Sequence, residues 1–251
     1  MPRPLLAAIG VTVRFGGLIA VDGVDLEVHA GELVGVIGPN GAGKTTFFHA
    51  LSGVLVPDAG RLVIGGEDLT GRAPHVYATR GVARTFQTPR VFRDMSAEEN
   101  VRFGLEFAGR SRTHAHDAFD DARAILGFLG LAEAAPRPAG ELTPAKQRLL
   151  EIGMALGARP RVLLLDEVAA GLTHAEVDAT ARLIRRVHDE LGLAVIWIEH
   201  AVRALMNHVE RVAVLHQGRK IADGEPRAVA RDPAVVEAYL GEEAGPAGAT
   251  A

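Results

Sequence analysis

The chain has 251 residues, 48% of them hydrophobic and 23% charged, enough to close one or two domains around a core and too apolar for a disordered tail. Its 27 Lys and Arg against 31 Asp and Glu leave a net charge of -4, which removes any chain-wide electrostatic case for nucleic-acid binding and leaves room only for a local basic groove. Cysteine is absent, so disulfides, zinc thiolates, iron–sulfur clusters and thiol catalysis are excluded, and no apolar run approaches the ~20 residues of a bilayer crossing.

The run Pro4 to Val13 behind Arg3 has about the length of a signal-peptide core, but the alternation over Val21 to Val28 makes an opening β-strand the better reading. Residues 5–30 predict two strands around Gly16-Gly17, and residues 61–64 before Gly65-Gly66 predict another hairpin edge, together a small antiparallel layer. Glu32 to Ile37 reads as a buried strand, and Phe47, Leu51 and Val54 at helical spacing predict a helix over Lys44 to Val54. Between them Gly38-Pro39-Asn40-Gly41-Ala42-Gly43-Lys44-Thr45-Thr46 fulfils G-x-x-x-x-G-K-S/T in the strand–loop–helix context that the motif requires. Such a loop turns backbone N–H groups toward a β-phosphate at a helix N-terminus. Lys44 then reaches the β- and γ-phosphates and Thr45 offers a hydroxyl to Mg²⁺. Lys44, Lys146 and Lys220 are the only lysines among the 27 basic residues, so the compact ammonium at Lys44 stands out in a chain that otherwise uses Arg.

Helical signals dominate from Ser96 to Ala158. Ser96 stands before Glu98 and Glu99 as an N-cap, and Asp120 to Leu131 is expected to set Ala124, Ile125, Phe128, Leu129 and Leu131 along one side. Thr113 to Asp121 gathers His114, His116 and Asp120, but on a helix the two histidines point to different faces, so a solvated face is favoured over a zinc site. Short apolar runs over Arg161 to Asp166, Ala194 to Glu199 and Arg211 to Leu215, separated by helix-like segments, predict a parallel sheet with crossovers. A last helix is predicted over Asp232 to Leu240, and Gly241 to Ala251 is expected to be a disordered tail. The strand before Asp166 ends abruptly in Asp166 and Glu167. At a strand tip facing phosphates, Asp166 can hold Mg²⁺ through water while Glu167 polarises the attacking water. Gln87 and His200 are uninformative alone and gain interest because the ends of parallel strands converge on one crevice.

The ordered set GPNGAGKTT, RTFQ, VLLLDE and WIEH, spread over essentially the whole chain, resembles the ATP-binding subunits of ABC transporters. More narrowly, VRFGGLIAVDGVDLEV, GVARTFQTPRVFRDMSAEENV, LLLDEVAAGLTHAE and VVEAYLGEE are similar to the LivG-type ATPases of branched-chain amino-acid importers. The resemblance implies an α/β fold, a P-loop NTPase with a RecA-like core, an antiparallel β subdomain and an inserted α-helical subdomain. It implies one ABC domain over residues 1–240, with the core at 1–95 and 157–240 and the helical part at 96–156. It implies ATP with Mg²⁺, hydrolysis coupled to transmembrane transport, Phe15 stacked on adenine, Gln87 sensing Mg²⁺ and the membrane subunit, Glu167 as catalytic base and His200 as the switch histidine at the γ-phosphate. The implied partners are a second ABC ATPase subunit, two transmembrane permease subunits and, indirectly, a solute-binding protein, at the cytoplasmic face of the inner membrane and with no nucleic acid. Thr88 to Met95, where Val91, Phe92 and Met95 flank Arg90 and Arg93, is either plain core or the groove that grips a membrane subunit's coupling helix.

The sequence departs from the family where an LSGGQ signature would act on the partner's ATP; here it reads Leu142-Thr143-Pro144-Ala145-Lys146. Thr143 keeps a hydroxyl, Ala145 replaces the closest-approach glycine and Pro144 removes a backbone donor. Thr173 replaces the acidic or amide residue of Gly171-Leu172-Thr173-His174. The expectation is a heterodimer with one intact composite site and one weakened one. Two rival functions share the motifs: an ABC ATPase of lipid or lipopolysaccharide export, and a non-hydrolysing nucleotide-dependent assembly module, against which Glu167 and His200 speak.

Overall fold

Valine-rich runs with glycine at the reversal make Leu6–Phe15 (β1) and Leu18–Val28 (β2) an antiparallel hairpin, paired from Leu6 opposite Val28 to Phe15 opposite Leu18 with register shifts between Ala8 and Arg14. The structure is a computed structural model that describes residues 3–106, 119, 121–199 and 202–243. The apolar run after Arg3 is therefore a strand and not a signal core. Leu33–Ile37 (β3) leads through the glycine-rich loop into Lys44–Leu51 (α1), and Ala59–Ile64 (β4) with Glu67–Asp68 (β5) completes a four-stranded sheet of order β2-β1-β4-β5. Pro74–Thr79 (α2) and Val82–Arg84 (β6) follow, then Ala97–Glu106 (α3), Ala122–Phe128 (α4) and Pro144–Gly157 (α5). The chain continues through Val162–Asp166 (β7), His174–Leu191 (α6), Ala194–Ile198 (β8), Val202–Met206 (α7) and Arg211–His216 (β9). Arg219–Gly224 (β10), Pro226–Val229 (α8) and Pro233–Glu243 (α9) close it.

The second sheet has the order β10-β9-β3-β8-β7-β6, parallel throughout except for β10, which runs antiparallel to β9. Every residue of β3, β7 and β8 is buried, and their period-two alternation sorts the side chains into two cores. Leu33, Ile37, Leu163, Leu165, Val195 and Trp197 pack with the helices, including Val101, Ile125, Leu150, Ile152 and Ile184. Val34, Val36, Val162, Leu164, Ile196 and Ile198 face the opposite way, toward Phe47 and Phe48 of α1 and the valines of β1 and β2. The parallel direction brings the C-terminal ends of β3, β6, β7 and β8 to one edge, with Val36 and Asp166 both beside Ile198. That edge is where an open α/β sheet binds its ligands.

Local chemistry fixes the helix ends. Ser96 and Glu99 form a reciprocal cap on α3, the hydroxyl accepting the Glu99 N–H at 3.2 Å and the carboxylate accepting the Ser96 N–H at 2.7 Å. Asp121 caps α4 by accepting the Ala124 N–H at 2.8 Å. Of the expected apolar side, Ile125, Leu129 and Leu131 are buried and Phe128 is half-buried, whereas Ala124 is exposed and Ala122 and Leu126 join the buried side instead. Helix α9 continues through Gly241 to Glu243, past the predicted stop at Leu240, and residues 244–251 lie outside the described residues. His114, His116 and Asp120 also lie outside them, and among the described residues no group of three His, Asp or Glu could hold a metal ion.

Candidate functional site

The loop Gly38 to Gly43 wraps the end of β3 because glycine stands where a side chain has no room. Gly38 has φ 152° and a Cβ there would collide with the Leu215 carbonyl; Gly43, at φ 95° just before α1, would collide with the Ala20 carbonyl. Lys44 is 5% exposed and its ammonium donates to the carbonyls of Gly38 at 2.6 Å and Pro39 at 2.8 Å. A buried ammonium held by its own loop is positioned for an anion arriving at the α1 N-terminus. Thr45 and Thr46 follow in the first turn of α1.

Across the cleft, Asp166 and Glu167 are 2% and 4% exposed at the end of β7. Asp166 pairs with the Arg84 guanidinium at 3.1 Å, and its backbone N–H donates to the Thr85 hydroxyl at 3.1 Å. Arg84 also donates to Ser52 Oγ at 2.9 Å. Gln87 Nε2 donates to Glu167 Oε2 at 2.7 Å, so the side chains read from two distant segments meet at one carboxylate. Glu167 sits at φ 48°, a left-handed conformation that costs a non-glycine residue ~1 kcal/mol.

These groups frame a cleft of about 640 Å³ lined by Asn40 to Thr46, Gln87 and Glu167, with Phe15, Leu18, Ile19 and Ala20 on one wall and Gln217 and Gly218 behind. Phe15 is half exposed at the tip of β1, open to stack on a planar ring. Thr45 and Gln87 line the cleft and Asp166, paired with Arg84, immediately precedes its Glu167; hydroxyl, amide and carboxylate oxygens are the donor types that suit a hard divalent ion completing its shell with phosphate oxygens and water. The donor set therefore fits Mg²⁺.

Leu142 to Lys146 do not line this cleft. Leu142 is buried at 5% exposure, Thr143 caps α5 by accepting the Lys146 N–H at 3.4 Å, and Pro144 occupies the first helical turn, where its missing N–H has no intrahelical partner in any case. Of Thr88 to Met95, Val91 packs partly against the core, whereas Phe92 is exposed beside Phe103 with ring centroids 4.8 Å apart. His200 lies outside the described residues; Glu199 before it is 2% exposed and accepts the Ala169 N–H at 2.7 Å and the Trp197 indole N–H at 3.3 Å.

Sequence reasoning passed over four buried charges around the cleft: Arg84, Arg148, Glu151 and Glu199. The available signal was charge inside apolar runs, since a buried ion needs a partner. Arg148 donates to the carbonyls of Glu167 at 3.1 Å and Ala170 at 3.0 Å. Glu151 accepts the Arg90 N–H at 2.9 Å. Burial pushes the Glu151 carboxyl up to about 7, against the opposing pull of the Arg90 and Phe86 N–H groups and of the Arg148 and Arg90 charges.

The family model for ABC transporters matches residues 21–170, and one for the branched-chain amino acid ATP-binding cassette transporter matches residues 219–245. The chain is 41% identical over 254 residues to the high-affinity branched-chain amino acid transport ATP-binding protein BraF of Pseudomonas aeruginosa, covering 96% of this chain and 100% of that one. It is 38% identical over 255 residues to the corresponding protein LivG of Escherichia coli, with the same coverage. Among solved structures, the ADP conformation of an ATP-binding cassette of an ABC transporter aligns with a TM-score of 0.84 at 31% identity, over 96% of this chain and 100% of that chain. A nucleotide-free cassette aligns with a TM-score of 0.82 at 30% identity, over 94% and 98% of the two chains.

Proposed function

We propose that this chain, which belongs to the ABC transporter ATP-binding family and is an ATPase of that family, powers the import of branched-chain or related amino acids. The observation that carries the reading is the Gln87–Glu167 contact of 2.7 Å at the mouth of the glycine-rich loop, which sets a carboxylate opposite the ammonium of Lys44. The names of the 41% and 38% identical relatives supply the cargo class, and the family model matched at residues 219–245 agrees with them. No described helix is long and apolar enough to cross a membrane, so transport requires membrane-spanning partners. Those partners are two permease subunits with a solute-binding protein beyond them, and the chain works with a second ATPase at the cytoplasmic face of the inner membrane. The nucleotide domain extends over residues 1–240, with residues 96–156 as its helical part.

Each residue has a task in this scheme. Phe15 stacks on the adenine, the N–H groups of Gly38, Pro39's successor Asn40, Gly41, Ala42 and Gly43 with Lys44 hold the β- and γ-phosphates, and Thr46 extends that grip. Thr45, Gln87 and Asp166 would hold Mg²⁺, whose charge offsets the phosphate oxygens when it is bound. Glu167 takes a proton from water as the water oxygen bonds to the γ-phosphorus, and the bond from that phosphorus to the bridging oxygen breaks to leave ADP. His200 contacts the γ-phosphate, and Leu142, Thr143, Pro144, Ala145 and Lys146 face the ATP of the partner ATPase. The rival readings, lipid export and a non-hydrolysing assembly module, gain no observation of their own.

The test is uptake of radiolabelled leucine, isoleucine and valine into vesicles carrying this chain with its permease and binding-protein partners. Uptake that needs ATP and is lost in Lys44→Ala is expected. ATP turnover that none of the three amino acids accompanies would refute the cargo assignment.

A further inference from the structure

Helix α5 runs behind the cleft, and two side chains three positions apart on one of its faces hold the two loops that meet there. Arg148, 8% exposed, donates to the carbonyl of Glu167 itself at 3.1 Å and to that of Ala170 at 3.0 Å. Glu151, 5% exposed, accepts the Arg90 N–H at 2.9 Å and also the N–H of Phe86. Those two donors bracket Gln87 in the chain. The loop is pinned further by Phe86, whose ring lies 4.6 Å from the Arg84 guanidinium carbon and 4.1 Å from that of Arg90.

Glu167 needs such support. Its left-handed backbone persists only where the surroundings over-determine it, and here its N–H donates to Ile198 at 3.0 Å while its carbonyl accepts from Ala170 at 3.1 Å and from Arg148. Neither Arg148 nor Glu151 lines the cleft, so their effect on chemistry is indirect, through the loops that carry Gln87 and Glu167.

We propose that Arg148 and Glu151 are positioning residues, the two arms of a brace on α5 that fixes Gln87 and Glu167 relative to each other. The helix that carries the brace starts at the Thr143 cap, about 12 Å along its axis from Glu151. A displacement of Leu142 to Lys146 by a partner subunit is therefore delivered to both loops through one rigid element. The brace rests on the hydrolytic role given to Glu167 above.

The experiment measures ATP turnover against Mg-ATP concentration, with the full chain in its membrane assembly, for wild type, Glu151→Ala, Glu151→Gln, Arg148→Ala, the Arg148→Ala/Glu151→Ala double variant and Glu167→Gln. Glu151→Ala is expected to lower kcat roughly tenfold with KM within about threefold, because the phosphate grip is untouched. Glu151→Gln keeps an acceptor for the Arg90 N–H and is expected to return to within about threefold of wild type. Arg148→Ala should follow Glu151→Ala, and the double variant should lose less than the product of the two single losses, as for residues that act as a unit. An unchanged kcat, equal changes in kcat and KM, or a Gln variant no better than Ala would overturn the brace. If Glu151→Ala does not fold, Glu151→Asp, which withdraws the carboxylate by one methylene, replaces it with the same expected loss. Wild-type turnover in Glu167→Gln would defeat the hydrolytic reading instead. Deuterium exchange of the full chain then decides the brace, which requires faster exchange over residues 86–90 in the Glu151 variant and fails if that segment is unchanged.

Discussion

Glu151 carries a carboxyl into a place with little water, and its titration reports that environment. It is faced by Arg148 from its own helix and by Arg90 from the loop after β6, and it also interacts with Arg84 at the end of β6. Burial outweighs these charges and the two N–H donors and moves the carboxyl from the ordinary 4.5 to about 7. Over that interval the folded chain keeps a proton that the unfolded chain has released, so Glu151 makes stability fall as pH rises from about 4.5 to 7. Glu151→Gln removes this contribution. Urea midpoints at pH 5 and pH 8 should shift in favour of the variant at the higher pH, relative to wild type. A difference between the two proteins that is the same at both pH values would contradict the assignment.

At the scale of elements, the crossing of α3 and α5 is set by glycine. A Cβ on Gly104 would collide with the Met154 carbonyl, and one on Gly157 would stand 2.9 Å from the Val101 carbonyl, so the two backbones touch where neither helix has a side chain. Gly104→Ala gains helix propensity, about 1 kcal/mol, yet forces the helices apart at a cost of about 1–3 kcal/mol, and a net loss of roughly 1 kcal/mol is expected in urea unfolding. Gly127→Ala in α4, where a Cβ meets nothing within 4 Å, should instead be neutral or stabilising. Equal stabilities for the two variants would mean that the crossing has room.

The same elements show what was legible in the sequence. The glycine-rich loop was legible because Gly38, Gly43 and Lys44 are demanded by backbone geometry and phosphate chemistry together, and the tip of β7 because Asp166 and Glu167 end an otherwise apolar strand. Strand β10 escaped because Arg219 to Gly224 is an edge, exposed or half-buried throughout, with no alternation to read. Continuous apolar runs marked β3, β7 and β8 as buried without telling which of the two cores each residue enters. Arg148 and Glu151 sit one turn apart on a helix whose polar residues read as solvent-facing, and only the fold shows that their partners are backbone groups of segments far away in sequence.

At the scale of the whole molecule, the proposed work with a second ATPase turns on Leu142 to Lys146. In the proposed scheme the chain's own loop, Lys44 and Glu167 would serve its own ATP, whereas Leu142 to Lys146, which would serve a partner's, departs from the LSGGQ pattern. The fold tolerates the alteration: Thr143 still caps α5, and Pro144 stands where a helix leaves its N–H unpaired. Under the proposed pairing the cost would fall outside the chain, since that N–H is one of the donors a helix N-terminus would aim at a neighbour's phosphate. Two copies facing each other would share this deficit at both sites, while a different ATPase with an intact signature would leave it at only one. Glu167→Gln with Mg-ATP, which should trap any closed dimer by removing the base, is therefore expected to run in light scattering as a monomer of 26.5 kDa when no partner is present. A dimer would show that Leu142 to Lys146 works as it stands and that self-pairing suffices. In the assembled transporter, asymmetry requires Glu167→Gln to remove most turnover and the matching substitution in the partner ATPase to remove less, because under the proposed pairing the intact composite site would be the one built on this chain's own phosphate loop.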